Sequence, residues 1–168
     1  GQPVFGNDHS AVFIEAIGID QKSGIYVSDL ETGEVRLVRG KCSYLVDPRK
    51  EVHVSRRVPV KDWNQWIAYG EPHKQVKGSG GTWWALKVVG PPNTACMITS
   101  ANSQRVVEGP KVTLLEYEER LVPLSLSMGV PKSEDSTLTT CFLRVNGNRV
   151  SDNITIETKD FVEVGVQV

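Results

Sequence analysis

Gly24-Ile-Tyr-Val-Ser-Asp-Leu-Glu-Thr-Gly-Glu-Val-Arg-Leu-Val-Arg-Gly40, running on into Cys42-Ser-Tyr-Leu-Val-Asp-Pro48, decides how this chain is read, because the chain states it twice. The second statement is Ala95-Cys-Met-Ile-Thr-Ser-Ala-Asn-Ser-Gln-Arg-Val-Val-Glu-Gly109, running on into Lys111-Val-Thr-Leu-Leu-Glu-Tyr117. Arg36 matches Arg105, Val38 matches Val107, Gly40 matches Gly109 and Leu45 matches Leu114, each 69 positions on. The copies differ in the turn, where Asp29 to Gly33 is longer than its counterpart around Asn102. Repeated units that bury little of their own surface work by stacking against neighbours. The pattern therefore points to an assembly protein rather than to an enzyme built around one pocket.

Working outward, the texture is almost all strand. Ile25 to Ser28, Val35 to Val38, Tyr44 to Val46 and Val52 to Val54 are short β-branched or aromatic runs between turn residues. Glu31-Thr-Gly33 predicts a hairpin turn, since Gly accepts the positive φ such turns need. Gly40 and Gly109 each follow a strand, where Gly permits a sharp bend or a close backbone approach. The second unit offers Ala95 to Thr99, Arg105 to Glu108, Val112 to Leu115 and Leu121 to Leu126. Thr137 to Asn146, Asn153 to Thr158 and Phe161 to Val168 alternate as half-buried strands do. The last of them stops without a terminator, which reads as a chain cut in mid-strand.

Between the units the pattern changes. Trp63 and Trp66 stand three apart in Val60 to Tyr69, one face of a helical turn, and Gly70-Glu-Pro72 would end it. Lys77-Gly-Ser-Gly-Gly81 reads as a loop and Thr82 to Val89 as a strand. The expected organisation is an all-β chain of two tandem small antiparallel repeat domains, 11–58 and 91–168. A linker, 59–90, joins them, and the second runs into further strands.

Composition narrows the function. Hydrophobic residues make up 39% and charged residues 23% of 168 positions, ordinary values for a globular chain. A formal net charge of −1 gives no field that would draw in nucleic acid or an acidic membrane. No apolar run approaches the roughly 20 residues of a membrane-crossing helix, and Gly1 to Ser10 lacks the basic start and apolar core of a signal peptide. Cys42, Cys96 and Cys141 are an odd number, each in an apolar strand pattern, and read as buried thiols in a reducing compartment.

The order of motifs resembles the major vault protein family. Gly24 to Gly40 is similar to its late repeats, which share a Gly-Ile-Tyr-Val, a Thr-Gly turn and a Val-Arg. Arg105-Val-Val-Glu-Gly-Pro110 resembles its Gly-Pro step. Leu124-Ser-Leu-Ser-Met-Gly-Val-Pro-Lys132 and Ser151-Asp-Asn-Ile-Thr-Ile-Glu-Thr-Lys-Asp160 resemble the segments that lead into its shoulder domain. The matches cover roughly 17 to 58 and 92 to 168; Pro59 to Gly90 resembles the family less clearly. The resemblance implies an all-β repeat fold whose copies stand side by side as staves of a cytoplasmic ribonucleoprotein shell. It also implies a fragment or a shortened relative, monomeric in isolation, because the family's further repeats and long cap helix are not in this sequence.

Competing chemistry is weak. Lys77 to Gly81 departs from a phosphate loop, which ends Gly-Lys-Ser/Thr and opens a helix. His9, His53 and His73 stand apart without ligand spacing. Cys141 reads as core, and the acidic runs Glu116-Tyr-Glu-Glu119 and Glu134-Asp135 as solvated turns. Arg56-Arg57 with Lys61 and the tryptophans could face nucleic acid, but the net charge argues against direct binding. No catalytic residue, cofactor or metal is expected. The candidate contacts with other copies are Glu34, Arg36 and Arg39 on the repeat edge, and Trp83 and Trp84. The tryptophans are adjacent on a predicted strand and so face opposite sides. Gly33, Gly40 and Gly109 are the structural turns. A second class of function is a partner-docking module, for instance a stomatin-like scaffold using the tryptophan segment.

Overall fold

A computed structural model of the chain describes residues 14–66, 72–73, 77, 81–127, 137–146 and 154–166. Its strands are β1 (Ile17–Ile19), β2 (Gly24–Asp29), β3 (Val35–Arg39), β4 (Cys42–Tyr44), β5 (Glu51–Val54), β6 (Pro72–His73), β7 (Lys87–Gly90), β8 (Thr94–Thr99) and β9 (Gln104–Glu108). They continue with β10 (Lys111–Leu114), β11 (Arg120–Leu121), β12 (Leu124–Ser127), β13 (Thr137–Thr140), β14 (Phe142–Arg144), β15 (Ile154–Glu157) and β16 (Glu163–Val166). The one described helix, α1 (Val60–Trp66), is the turn that the tryptophan spacing predicts. The fold is all-β and its ladders are antiparallel, as expected.

The sequence repeat is a repeat of register. β2 pairs β3 with Ile25 opposite Val38 and Val27 opposite Arg36. β8 pairs β9 with Cys96 opposite Val107 and Ile98 opposite Arg105. On its other edge β2 pairs β5, His53 opposite Val27; β8 there pairs β11, Leu121 opposite Ile98. The strand after the glycine bend also pairs alike: β4 lies against β1 and β10 against β7. Each unit is thus a three-stranded sheet with a two-stranded ribbon beside it. To this plan the second unit adds β14 on β8 and β6 on β7.

The equivalence of β1 and β7 corrects the expected boundary. β7 lies inside the stretch taken as linker, yet it is the opening strand of the second unit. The chain crosses between cores within three residues. Trp84 packs with Ile19, Ile25 and Val27 of the first unit. Ala85 sits in the seam with Tyr26 and Leu114. Leu86 and Val88 belong to the second core with Cys96, Ile98, Leu115 and Phe142. Trp66 joins that core as well, 2% exposed. The expected single strand Thr82 to Val89 is therefore split, because its first half must pack on one unit and its second half on the other. Leu121 to Leu126 and Thr137 to Asn146 are likewise split, at Val122-Pro123 and at Cys141. Pro has no N–H to give a ladder, which accounts for the first break.

Tyr26 stands at the buried centre of the seam. Tyr26 is fully buried; its hydroxyl donates to the Leu115 carbonyl at 2.7 Å and accepts from the Leu86 amide at 3.2 Å. Beside it the Ala85 amide donates to the Gly24 carbonyl at 2.6 Å, and the Leu115 amide to the Leu86 carbonyl at 3.0 Å. Tyr117 meets the Tyr26 ring edge-on at 5.3 Å.

The matched glycines serve different needs. Gly33 closes the first hairpin at φ 73°, its amide donating to Asp29 at 2.9 Å. Gly40 has φ 96° with open space where a Cβ would stand. Gly109 is outside the positive-φ set; a Cβ there would collide with the Pro91 and Gly90 carbonyls.

Two outcomes test this account. Tyr26→Phe strands two buried backbone groups, so it should lower stability by about 1–3 kcal/mol; a melting temperature equal to the parent's would remove the seam from the argument. Gly40→Ala meets only a backbone penalty of about 1–2 kcal/mol, whereas Gly109→Ala meets backbone that has to move. The melting temperature should fall further for Gly109→Ala; the reverse ranking would show that the bend at Gly40 is the tighter constraint.

Candidate interface sites

The edge charges of the first unit turn out to be unequal. Arg36, on β3, reaches over β2 to Glu51 at the start of β5, Nη2 to Oε2 2.7 Å. Tyr44 joins them from β4: its hydroxyl donates to Glu51 Oε1 at 2.5 Å and accepts from Arg36, whose guanidinium stands 5.5 Å from the ring centre. Arg36 is thus spoken for within its own unit. Arg39 is 59% exposed and reaches Glu116 only at 3.8 Å, a loose contact across the seam. Glu34 is exposed and, among the described residues, makes no ion pair.

Register places a second Arg–Glu pair where the repeat requires it. Arg105 holds Glu119 through two bonds, Nε to Oε1 at 2.8 Å and Nη2 to Oε2 at 2.7 Å. The Glu116 amide donates to the same carboxylate at 2.9 Å. Arg56 donates to the Glu116 carbonyl at 3.0 Å and also to the Glu119 carbonyl. This corrects the expectation of a solvated acidic turn: the Glu119 side chain is only 6% exposed. Burial pushes its carboxyl up, but the Arg105 bonds, the Glu116 amide and the Arg56 charge outweigh it and hold it below the ordinary carboxylate range. The signal was present in the sequence, since Glu119 follows Arg105 by nearly the spacing at which Glu51 follows Arg36.

The two tryptophans lie outside the named strands, in different surroundings. Trp84 is part of the first core. Trp83 is half-buried, with Lys77 Nζ 5.8 Å from its ring centre and its carbonyl 2.9 Å from His53 Nε2. His53 is therefore a packing residue. His9, most of the Lys77 to Gly81 loop and Glu134-Asp135 lie outside the described residues, as do the side chain of His73 and parts of the two shoulder-like segments.

The cysteines need one correction. Cys96 and Cys141 are buried, and burial pushes both thiols up to about 11, which keeps them protonated and poor as nucleophiles. Cys42 is exposed. It opens a three-residue strand in a two-stranded ribbon, which is too short to cover it. Among the described residues no group of three or more His, Cys, Asp or Glu side chains could hold a metal, and no helix is long and apolar enough to cross a membrane.

Two tandem β units that share a register, an Arg–Glu pair and a glycine-bounded bend set the frame for comparison with known proteins. The chain is 33% identical over 168 residues to the major vault protein of Mus musculus, covering 92% of this chain and 19% of that protein. It is 33% identical over 167 residues to that of Diplobatis ommata, with 91% and 19% covered. To that of Bos taurus it is 30% identical over 168 residues, with 92% and 18% covered. Across that span the chain belongs to the major vault protein family. It represents less than a fifth of the length of these curated relatives. No protein-family model matches it.

The buried pair carries a pH prediction. A carboxyl whose folded pKa is depressed stabilises the fold above its unfolded pKa, and that contribution is lost as pH falls through the folded value. Acid unfolding followed by circular dichroism should therefore become shallower in Glu119→Gln, which should also be less stable near neutral pH. An acid limb identical to the parent's would mean that Glu119 does not govern it.

Proposed function

We propose that this chain is a structural segment of a vault-like cytoplasmic particle, packing side by side with copies of itself through its β repeats, with no catalytic role. The observation that carries the reading is the relation to major vault proteins along 92% of the chain. The packing pattern supports it. Each unit has apolar side chains in its own core and in the seam to the next unit, while Leu30, Leu45, Val52 and Val106 stay exposed. Of the candidate contact residues, Glu34 and Arg39 are exposed charges and Trp83 is a half-exposed aromatic. Arg36 is a weaker candidate, since Glu51 and Tyr44 already satisfy it.

Exposed ion pairs contribute about 0–1 kcal/mol each, so lateral contact is weak per copy. Tethering many copies makes it collective, because linked contacts form at a high effective concentration. Sedimentation velocity on this chain should show a monomer at micromolar concentration and association at higher concentration and low salt. Added salt should reverse it, since screening acts within about 10 Å at 0.1 M. Glu34→Lys should weaken the association and leave the folding stability within about 0.5 kcal/mol of the parent's, as surface changes do. A chain that stayed monomeric under all these conditions would reject lateral packing and favour a docking module that waits for a partner.

A further inference from the structure

Thr113 occupies on β10 the position that Tyr44 has on β4, and the exchange leaves a mark. In the first unit the Tyr44 ring lies by the Arg36 guanidinium and its hydroxyl ties the Arg–Glu pair. In the second unit the threonine is too short to do either: Thr113 is 6% exposed, and its hydroxyl is buried without a hydrogen-bond partner. Beside Arg105 and Thr113 there is a cleft of about 290 Å³. Lys22 and Arg39 enter it from the first unit, Arg105 and Lys111 from the second, and no carboxylate lines it. Glu119 bonds Arg105 at 2.7 Å without lining the cleft, and Glu116 touches Arg39 only at 3.8 Å. The Asp20 carboxylate accepts the Lys22 amide at 2.7 Å. Lys22 and Lys111 are in no ion pair among the described residues.

We propose that this cleft is a binding site for a small polyvalent oxyanion of the phosphate class, seated where the tyrosine of the first repeat has no counterpart and bridging the two units. Four cations from two units converge on one concavity, so a compact multiply charged anion gains from all of them at once. Like charges gathered in one concavity reinforce one another's field on an anion more than the same charges spread over open surface. The occupant reaches both units and so fastens the seam from outside. Binding to the folded state alone raises stability by mass action. The site is independent of lateral packing between copies.

Calorimetry with inorganic pyrophosphate, at fixed ionic strength, should give saturable binding with one site per chain and a matching rise in melting temperature. Lys111→Gln combined with Lys22→Gln should weaken binding by about tenfold or more, as loss of close charge contacts does. Lys50→Gln, an exposed change elsewhere, should leave it unaltered. Thr113→Tyr offers a variant that fills the cleft: it should abolish pyrophosphate binding while matching or exceeding the parent's melting temperature. No saturable binding by the parent, or equal binding by the double-lysine variant, would overturn the site. So would a chain whose self-association, rather than pyrophosphate binding, is lost in that variant, since the cleft would then receive acidic side chains of a second copy. Lateral packing through the Glu34 edge stands or falls separately, as it is read by sedimentation of a different variant.

Discussion

The Tyr26 phenol is the buried centre of the joint between the two halves of this chain, and Arg56 bonds across the same joint nearer its edge. The Tyr26 hydroxyl answers a carbonyl and an amide that flank different strands of the other unit, Leu115 just after β10 and Leu86 just before β7. Both groups are buried, and neither finds that partner elsewhere if the units separate. A buried polar group left unmatched costs more than a formed bond contributes, so such a seam tolerates little slippage. The hydrophobic part of the seam, Ala85 and Leu114 against Val35, Leu37 and Val54, supplies area but little direction. Direction comes from the hydrogen bonds.

The repeat is a repeat of chemistry as well as of shape. Arg36 with Glu51 and Arg105 with Glu119 make corresponding links, from β3 to the start of β5 and from β9 to the residue just before β11. Their surroundings then diverge. In the first unit the pair is partly open and finished by Tyr44; in the second the carboxylate is enclosed and finished by the Glu116 amide, with Arg56 bonding the local carbonyls. A salt bridge at the surface contributes little, while an enclosed one must be fully satisfied to be tolerated. The second pair meets that condition for Glu119 through three donated hydrogen bonds.

Much of the fold was legible because the repeat fixes relative positions independently of propensity. Once Gly40 is set against Gly109, the strands around Ile25, Val35, Ala95 and Arg105 fall into register. What stayed hidden is long-range. β1 and β7 are short, and β7 borders Pro91; nothing local in either marks it as the start of a unit. The crossing of Trp84, Ala85 and Leu86 from one core to another follows no periodicity, since two different surroundings succeed one another within three residues. Exposure at Cys42 and burial at Glu119 depend on which strand lies alongside, which alternation alone does not reveal. Of the candidate contacts, Trp84 and Arg36 were chosen by residue type, and packing within the first unit claims both.

Gly24 carries a further consequence. A methyl group there would stand 2.8 Å from the Val38 carbonyl oxygen, 3.0 Å from Leu37 and 3.1 Å from Leu114 of the other unit. The units therefore meet main chain to side chain at this point, with the Ala85 amide bonded to the Gly24 carbonyl beside it. A joint with no cushioning side chain behaves as a clamp rather than a hinge. Load applied to one unit passes to the next as a tilt of the pair, with little give between them. In a wall made of such strips, curvature would be written into each joint and summed along the strip, so that flexing would have to occur between strips.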